Sequence, residues 1–539
     1  MKPRAIVLSG KVCAGKSTLA AHLRDKAGAV LVKSKELIYE QLPRTPRARR
    51  PSQLAGQRLD RETGGRWLAE ALNERVMNVE GGKPNELLVI DSVRIAEQVH
   101  FLRQSGWSVT HVHLEASNDA LTRRYSQRPR TGEVETYADL SKNWTERHVS
   151  ALAKVADVVI DTDRCNDHDV FARVVARLEV RPVIAPAVVD ILVGGQYGSE
   201  GKGNIAQFMA PEYDVLVRVG GPNAGHKVFR SGAEPYTFRQ LPSGYLGNRD
   251  AMLVVGAGAV IGLNTLLREI ADLAIPFDRL KIDPQAMIIA ASDVEWEEKT
   301  LKGAIGSTAQ GIGAATARKI LYRRPDTDVQ LARDIPQLKH YVDDTVEYFA
   351  HCLSRGKRIM LEGTQGTSLS LHHGFYPHVT SRVTTAAACL AEAGLAARHV
   401  RRVVMVCRTY PIRVGDSVEG KTSGFMSQPI TFQDIADRSG IPLSELASTE
   451  VGSVSHRPRR VAEFDWAQFR RSMLLNGPTD IALTFADYFG IDNRTAYRYE
   501  QLNDDTLRFI EEMEKVGGVP VSMISTAFNE RNIIDRRMW

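Results

Sequence analysis

The chain has 539 residues, with 70 Lys+Arg against 64 Asp+Glu for a formal net charge of +6, and five cysteines. Its 43 % hydrophobic and 25 % charged residues are the balance of an ordinary globular protein, which excludes disordered, collagen-like and disulfide-scaffold chains. So small a charge over this length argues for no nucleic-acid partner, and no apolar run reaches the roughly 18–20 residues of a membrane span. The cysteines at 13, 165, 352, 389 and 407 are scattered without metal-ligand spacing, which predicts reduced thiols in a cytoplasmic protein and no zinc site.

In chain order, Met1-Lys2-Pro3-Arg4 runs straight into an apolar strand at Ala5–Ser9, which predicts no signal peptide. Strands at Leu87–Ile90, Val109–Leu114 and Val158–Ile160 alternate with helical stretches such as Thr18–Asp25, Ile95–Gln104 and Arg173–Leu178. This alternation predicts a parallel sheet with flanking helices. Two prolines within Pro182–Pro186 mark a short extended connection. A second strand, Val188–Val193, then opens another glycine-rich turn. The reading is two α/β domains, 1–180 and 187–539, the second with a central, mostly parallel sheet. The basic stretch Arg44–Arg50 reads as a solvated or substrate-covering loop.

Gly10-Lys11-Val12-Cys13-Ala14-Gly15-Lys16-Ser17 satisfies the pattern G-x-x-x-x-G-K-S/T between a strand and a helix, the context that motif requires. Glycines Gly10 and Gly15 let backbone amides wrap a phosphate, and the helix N-terminus beginning near Thr18 adds positive potential. Lys16 is placed to reach the β- and γ-phosphates, and the Ser17 hydroxyl to ligate Mg²⁺. Asp91, at the end of Leu87–Ile90, is a second Mg²⁺ candidate, its alternative being a helix N-cap. Arg94 is spaced to meet a phosphate. Arg123, Arg124, Arg128 and Arg130 either neutralise a transferring phosphoryl group or form a solvated helix face. Residues 1–178 resemble the P-loop nucleoside- and nucleotide-monophosphate kinases, which implies ATP as donor; the acceptor is not legible.

The second half carries an ordered series: Gly194–Asn204 with Gly198, Glu200, Gly201, Lys202 and Gly203, then Asn223-Ala224-Gly225-His226, Gly306-Ser307-Thr308, Glu362–Thr367, Tyr376–Ser381, Arg457–Arg460 and Leu483–Asp487. Each is weak alone, and His226 by itself reads as a structural histidine. In this order they resemble the adenylosuccinate synthetase family, in its short archaeal and phage form, through to Arg537. That family uses a nucleoside triphosphate, usually GTP, to phosphorylate a purine 6-oxygen, which the amine of L-aspartate then displaces. The resemblance implies that Lys202 and its turn (Gly198 to Gly203) hold the triphosphate, with Asn223 and Ala224 beside them. It implies that His226 is a general acid, Gly225 lies near Mg²⁺, and Gln365 addresses the 6-oxygen. Thr308 and Thr380 would grip the 5′-phosphate, Ser455, Arg457 and Arg459 the aspartate, and Asp487 the donor base. It also implies a homodimer.

One departure bears on substrate. Ser199 stands where the family has an aspartate that removes the purine N1 proton and ligates Mg²⁺. A serine hydroxyl does neither job well near neutral pH. Three readings follow: a catalytically weak nucleotide sensor, IMP chemistry with a displaced base, or an altered substrate. The third is favoured, because a small uncharged side chain leaves room for a 2-amino group. The same replacement is what distinguishes the phage-type 2-aminoadenylosuccinate synthetases that act on dGMP. Phe485 replaces a common lysine beside the donor base, which leaves GTP and ATP both open. Tyr322 stands in the place of an arginine that reaches the partner's nucleotide, with Arg323 or Arg324 as substitutes.

Overall fold

The computed structural model describes residues 4–77, 87–127, 136–142, 144–179, 187–230, 233–416, 422–452, 458–529 and 532–537. The chain divides into two compact units, Met1–Pro182 and Val183–Trp539. Ser455 and Arg457 of the expected aspartate site, and Arg128 and Arg130 of the basic cluster, lie outside the described residues.

The first unit is built on five parallel strands: β1 (Arg4–Gly10), β2 (Val30–Val32), β3 (Leu87–Ile90), β4 (Ser108–Glu115) and β5 (Val158–Asp161), in the order β2-β3-β1-β4-β5. β1 shows why apolar runs without alternation make central strands: Ala5 and Val7 face one core cluster, Ile6 and Leu8 the other, so both faces are covered. The following helix spans Lys16–Ala27, two residues earlier than Thr18, because Gly15 in left-handed conformation caps it. Helices Ser34–Gln41, Arg49–Thr63 and Trp67–Met77 fill the connection between β2 and β3. The last helix, Asp167–Glu179, begins well before Arg173.

Among the described residues the main sheet of the second unit has nine strands: β6 (Val189–Gly194), β7 (Val215–Arg218), β8 (Met252–Val255), β9 (Leu280–Ile282), β10 (Ile359–Glu362), β11 (Val400–Arg408), β12 (Asp480–Thr484), β13 (Val521–Ser525) and β14 (Ile533–Asp535). Their order is β9-β8-β7-β10-β6-β11-β12-β13-β14, with only the β13–β14 pair antiparallel. Val189, Ile191 and Val193 enter one core cluster and Leu192 the other. In such a sheet ligands gather outside the carboxyl ends of the strands. Here those ends are Gly194, Arg218, Glu362, Arg408 and Thr484, of which the last four are buried polar residues. A small antiparallel sheet (Ile412–Val414, Arg459–Ala462, Pro429–Ile430) and the hairpin His226–Arg230 with Ala233–Phe238 stand beside it.

Candidate active site

In the second unit the turn after β6 is held from within. Glu200 is buried; its Oε1 accepts from the amides of Gln196 and Gly198 at 3.0 and 2.7 Å. Its Oε2 accepts from Lys202 Nζ at 2.7 Å, and that amine also donates to Gly198 O at 3.1 Å. Glu200 is thus the brace of the turn. Gly198 has φ +99°, and a Cβ there would lie 2.9 Å from Gln365 Cα, so the turn seats directly against the loop after β10. Gly201, at φ +80°, caps the helix Lys202–Met209, and a side chain at Gly203 would meet Lys227 O at 2.7 Å.

His226 starts its hairpin against the sheet's carboxyl edge. Its Nδ1 lies on Glu362 Oε1, and Arg218 reaches the same carboxylate at 3.0 Å and Ala224 O at 2.7 Å. Ser243 donates to Glu362 from its amide and its hydroxyl at 2.7 and 2.6 Å. Burial, then Arg218, pulls the His226 pKa down to about 4. Burial would raise Glu362, but Arg218 and His226 hold it down to about 2. The ring is therefore neutral near pH 7 and the carboxylate ionised. His226 Nε2 is buried without a partner, leaving one face of the imidazole for chemistry.

A cavity of about 230 Å³ collects Ser199, Asn223, Ala224, Gly225, Thr308 and Gln365; Gly198, Thr380 and Arg459 complete its wall. Gln365 has φ +63° and donates from Nε2 to Thr380 Oγ1 at 2.8 Å, while its Oε1 is buried without a partner. Arg459 NH1 donates to Glu450 Oε2 at 2.9 Å. Glu450 also receives Arg408 and Tyr488, both at 2.6 Å; burial opposes its ionisation, yet the two arginines hold its pKa at about 2. A second, narrower pocket is lined by Gly201, Asn204, Thr484, Phe485, Asp487 and Phe528. The Phe485 and Phe528 rings stand 5.1 Å apart, edge to face. Asp487 accepts from Arg494 Nε at 3.0 Å, and burial pushes its pKa up to about 6 against that arginine.

A family model described as adenylosuccinate synthetase matches residues 191–334 and 323–493. The chain belongs to the adenylosuccinate synthetase family. The synthetase of Pyrococcus sp. (strain ST700) is 36 % identical over 355 residues, 64 % of this chain and 98 % of that protein. The synthetase of Methanocaldococcus jannaschii is 35 % identical over 355 residues, again 64 % of this chain and 96 % of the relative. Among solved structures, the cyanophage S-2L succinoaminodeoxyadenylate synthetase bound to dGMP and dATP superposes with a TM-score of 0.54 at 29 % identity, over 65 % of this chain and 96 % of that one. The Plasmodium falciparum adenylosuccinate synthetase shares the fold, with a TM-score of 0.55 at 22 % identity over 65 % of this chain and 100 % of that one. The synthetase unit is thus a C–N ligase of purine nucleotide metabolism.

Sequence reasoning quoted Glu362 in a motif but gave it no role, since its partners His226 and Arg218 are far away in the chain. Arg218, Glu450 and Phe528 were missed altogether. The available signal was the pattern of charged residues terminating apolar strands, at Arg218, Glu362 and Arg408.

The first unit has a glycine-rich turn of its own between β1 and the helix Lys16–Ala27. Gly10 has φ +136°, and a Cβ there would fall 2.2 Å from Leu114 O; only glycine lets β1 pass β4 so closely. Lys16 Nζ donates to Gly10 O at 2.6 Å and Lys11 O at 2.8 Å, and burial followed by the Arg94 charge lowers its pKa to about 7. Ser17 and Thr18 stand in the first helical turn. Asp91 Oδ1 accepts from the amide and hydroxyl of Ser34 at 3.0 and 3.2 Å, so it caps the helix Ser34–Gln41 from outside, not its own following helix. Arg94 reaches Glu146 at 3.3 Å, and Glu146 also accepts from the loop amide of Val12 at 3.0 Å. Arg124 is committed to the Thr162 hydroxyl and carbonyl at 2.9 and 2.8 Å, so the turn after β5, not a transferring phosphoryl group, holds it.

Among the described residues no group of three or more His, Cys, Asp or Glu forms a metal cage. Mg²⁺ needs none: it keeps several waters and binds through one or two protein oxygens plus phosphates. Candidate oxygen donors are Ser17 and Asp91 in the first unit, and in the synthetase the Gly225 backbone with Ser199, a weak neutral ligand, along the main cavity.

Proposed function

We propose that the chain is a bifunctional enzyme whose synthetase unit condenses L-aspartate with GMP or dGMP, using GTP or ATP with Mg²⁺, to give the 2-amino-6-succinylamino nucleotide. Ser199 in the wall of the main cavity carries the reading: it offers space and an acceptor where a carboxylate would crowd a 2-amino group. The likeness to the cyanophage enzyme bound to dGMP supports it.

The γ-phosphoryl passes to the purine 6-oxygen, releasing the nucleoside diphosphate, as the N1 proton goes to water; the aspartate amine then attacks C6, gives a proton to water and expels phosphate. Lys202 and the braced turn hold the triphosphate. Gln365 presents its side chain to the 6-oxygen region, while Thr308 and Thr380 take the 5′-phosphate. Arg459, with Ser455 and Arg457, takes the aspartate carboxylates. His226, steered by Glu362, offers Nε2 as general acid once bound phosphates counter the cations that lower its pKa. Mg²⁺ neutralises the donor phosphates. The donor base takes the pocket walled by the contacting rings of Phe485 and Phe528, with Asp487 at its edge.

The first unit is the partner activity: a P-loop phosphotransferase with ATP on Gly10–Thr18, its acceptor open. Its loop, Lys16 and the Glu146–Arg94 pair support this. The test of the whole is which monophosphate acquires a succinyl group.

A homodimer completes the proposal. Ile320 and Leu321, 53 % and 76 % exposed, and Tyr322 end the helix Ile312–Leu321, and Trp296, 51 % exposed, lies on the helix packed against it. Light scattering at micromolar concentration is expected to give twice the chain mass; a monomer contradicts it.

A further inference from the structure

Three arginines lie together on the small antiparallel sheet of the synthetase unit. The pairing of Ile412–Val414 with Arg459–Ala462 sets Arg413 opposite Arg460 and Val414 opposite Arg459. Two of the three have carboxylate partners: Arg459 has Glu450 at 2.9 Å and Arg460 has Asp416 at 3.2 Å. Arg413, only 4 % exposed, has none among the described residues. It donates to two backbone carbonyls, His378 O at 2.7 Å and Phe425 O at 3.4 Å, and its Nε is buried without a partner.

Carbonyls satisfy hydrogen bonds but leave the charge unbalanced, and a guanidinium withdrawn from water without a counter-ion is costly. The Tyr197 ring, 4.9 Å from the guanidinium carbon, and the Asp416 carboxylate, which does not bond it directly, offset part of that. His378, on the same wall, supplies no negative charge; burial, then Arg413 and Arg460, lowers its pKa and keeps it neutral. Arg413 lines the cavity that holds Ser199, Gln365, Thr380 and Arg459.

We infer that Arg413 is a substrate-binding residue whose guanidinium, bonded to no described carboxylate, receives a carboxylate of the dicarboxylic amino acid. This rests on the ligase reading above. Its strand neighbour Arg459 belongs to the amino-acid subsite and already spends part of its charge on Glu450. An amino acid with two carboxylates gains from each cation it meets, and of these three arginines Arg413 is the one with no direct bond to a described carboxylate.

The test compares the full-length wild type with Arg413→Met and Arg413→Lys in steady-state kinetics and thermal unfolding. Arg413→Met is expected to raise the KM for L-aspartate about tenfold or more, leave the nucleotide KM within about twofold, and hold or raise Tm, since a buried unbalanced charge is removed. Arg413→Lys keeps the charge and is expected to recover most of the aspartate affinity. The assignment is overturned by an unmoved aspartate KM, by a rise confined to the nucleotide, by Lys as poor as Met, or by loss of the fold in the Met variant. Wild-type chain that consumes no aspartate overturns the ligase reading, and this assignment with it; turnover with an unmoved aspartate KM overturns this assignment alone.

Discussion

Ser199 shares its cavity with Gln365, the side chain assigned to the purine 6-oxygen, so one substitution there acts on the base itself. Exchanging Ser199→Asp restores a carboxylate beside the purine: it repels the crowded 2-amino position and accepts the N1 proton of IMP. The expected outcome is a shift of kcat/KM toward IMP over GMP by at least about tenfold, read from competing-substrate assays. A rise in GMP use contradicts the steric argument. At this scale the sequence was informative where a residue type departs from a spaced pattern, as at Ser199. It was silent where roles arise from contacts across the chain: the 136-residue separation of His226 and Glu362 hides their pairing. Nor did spacing reveal that Arg124 serves the turn after β5.

Among the elements, the two glycine-rich turns were legible because their function demands glycine at fixed places. Gly10 and Gly198 are left-handed and pressed against backbone, so sequence and geometry are forced to agree. Helix starts were less legible, since Gly15 begins its helix through backbone conformation without a side-chain cap. The carboxyl edge of the synthetase sheet makes a further prediction. The pKa of His226 is lowered from 6.5 to about 4, so between those values the unfolded chain binds more protons and stability falls as pH drops. The pKa of Glu362 is lowered from 4.5 to about 2, so its contribution, full above 4.5, is also lost on acidification. Both slopes have one sign: Tm is expected to fall steadily as pH is lowered from about 6.5 to 4, and Glu362→Gln, which removes a charge that raises the His226 pKa, to keep or steepen that fall while removing the carboxylate's own loss below 4.5. A Tm that rises on acidification through this range contradicts the buried neutral imidazole.

For the molecule as a whole, sequence pattern separated two α/β units because each opens on its own strand and phosphate turn, and the synthetase matches occupy the second. What it left unread was the sheet order, which depends on pairings between strands as distant as β6 and β10. Two phosphate turns predict two separable activities. Lys16→Ala removes the amine proposed to meet the donor phosphates of the first unit, so ATP-dependent phosphoryl transfer by that unit is expected to fall by about a hundredfold or more, while aspartate addition persists. Loss of both activities contradicts independent sites.

The most direct measurement is a mass-spectrometric end-point assay of the full-length chain with Mg²⁺, L-aspartate and either GTP or ATP, offered IMP, dIMP, GMP or dGMP in separate reactions. The account predicts a succinyl adduct on GMP or dGMP and none on IMP. An adduct on IMP alone contradicts the altered-substrate reading, and no adduct on any nucleotide contradicts the ligase activity itself.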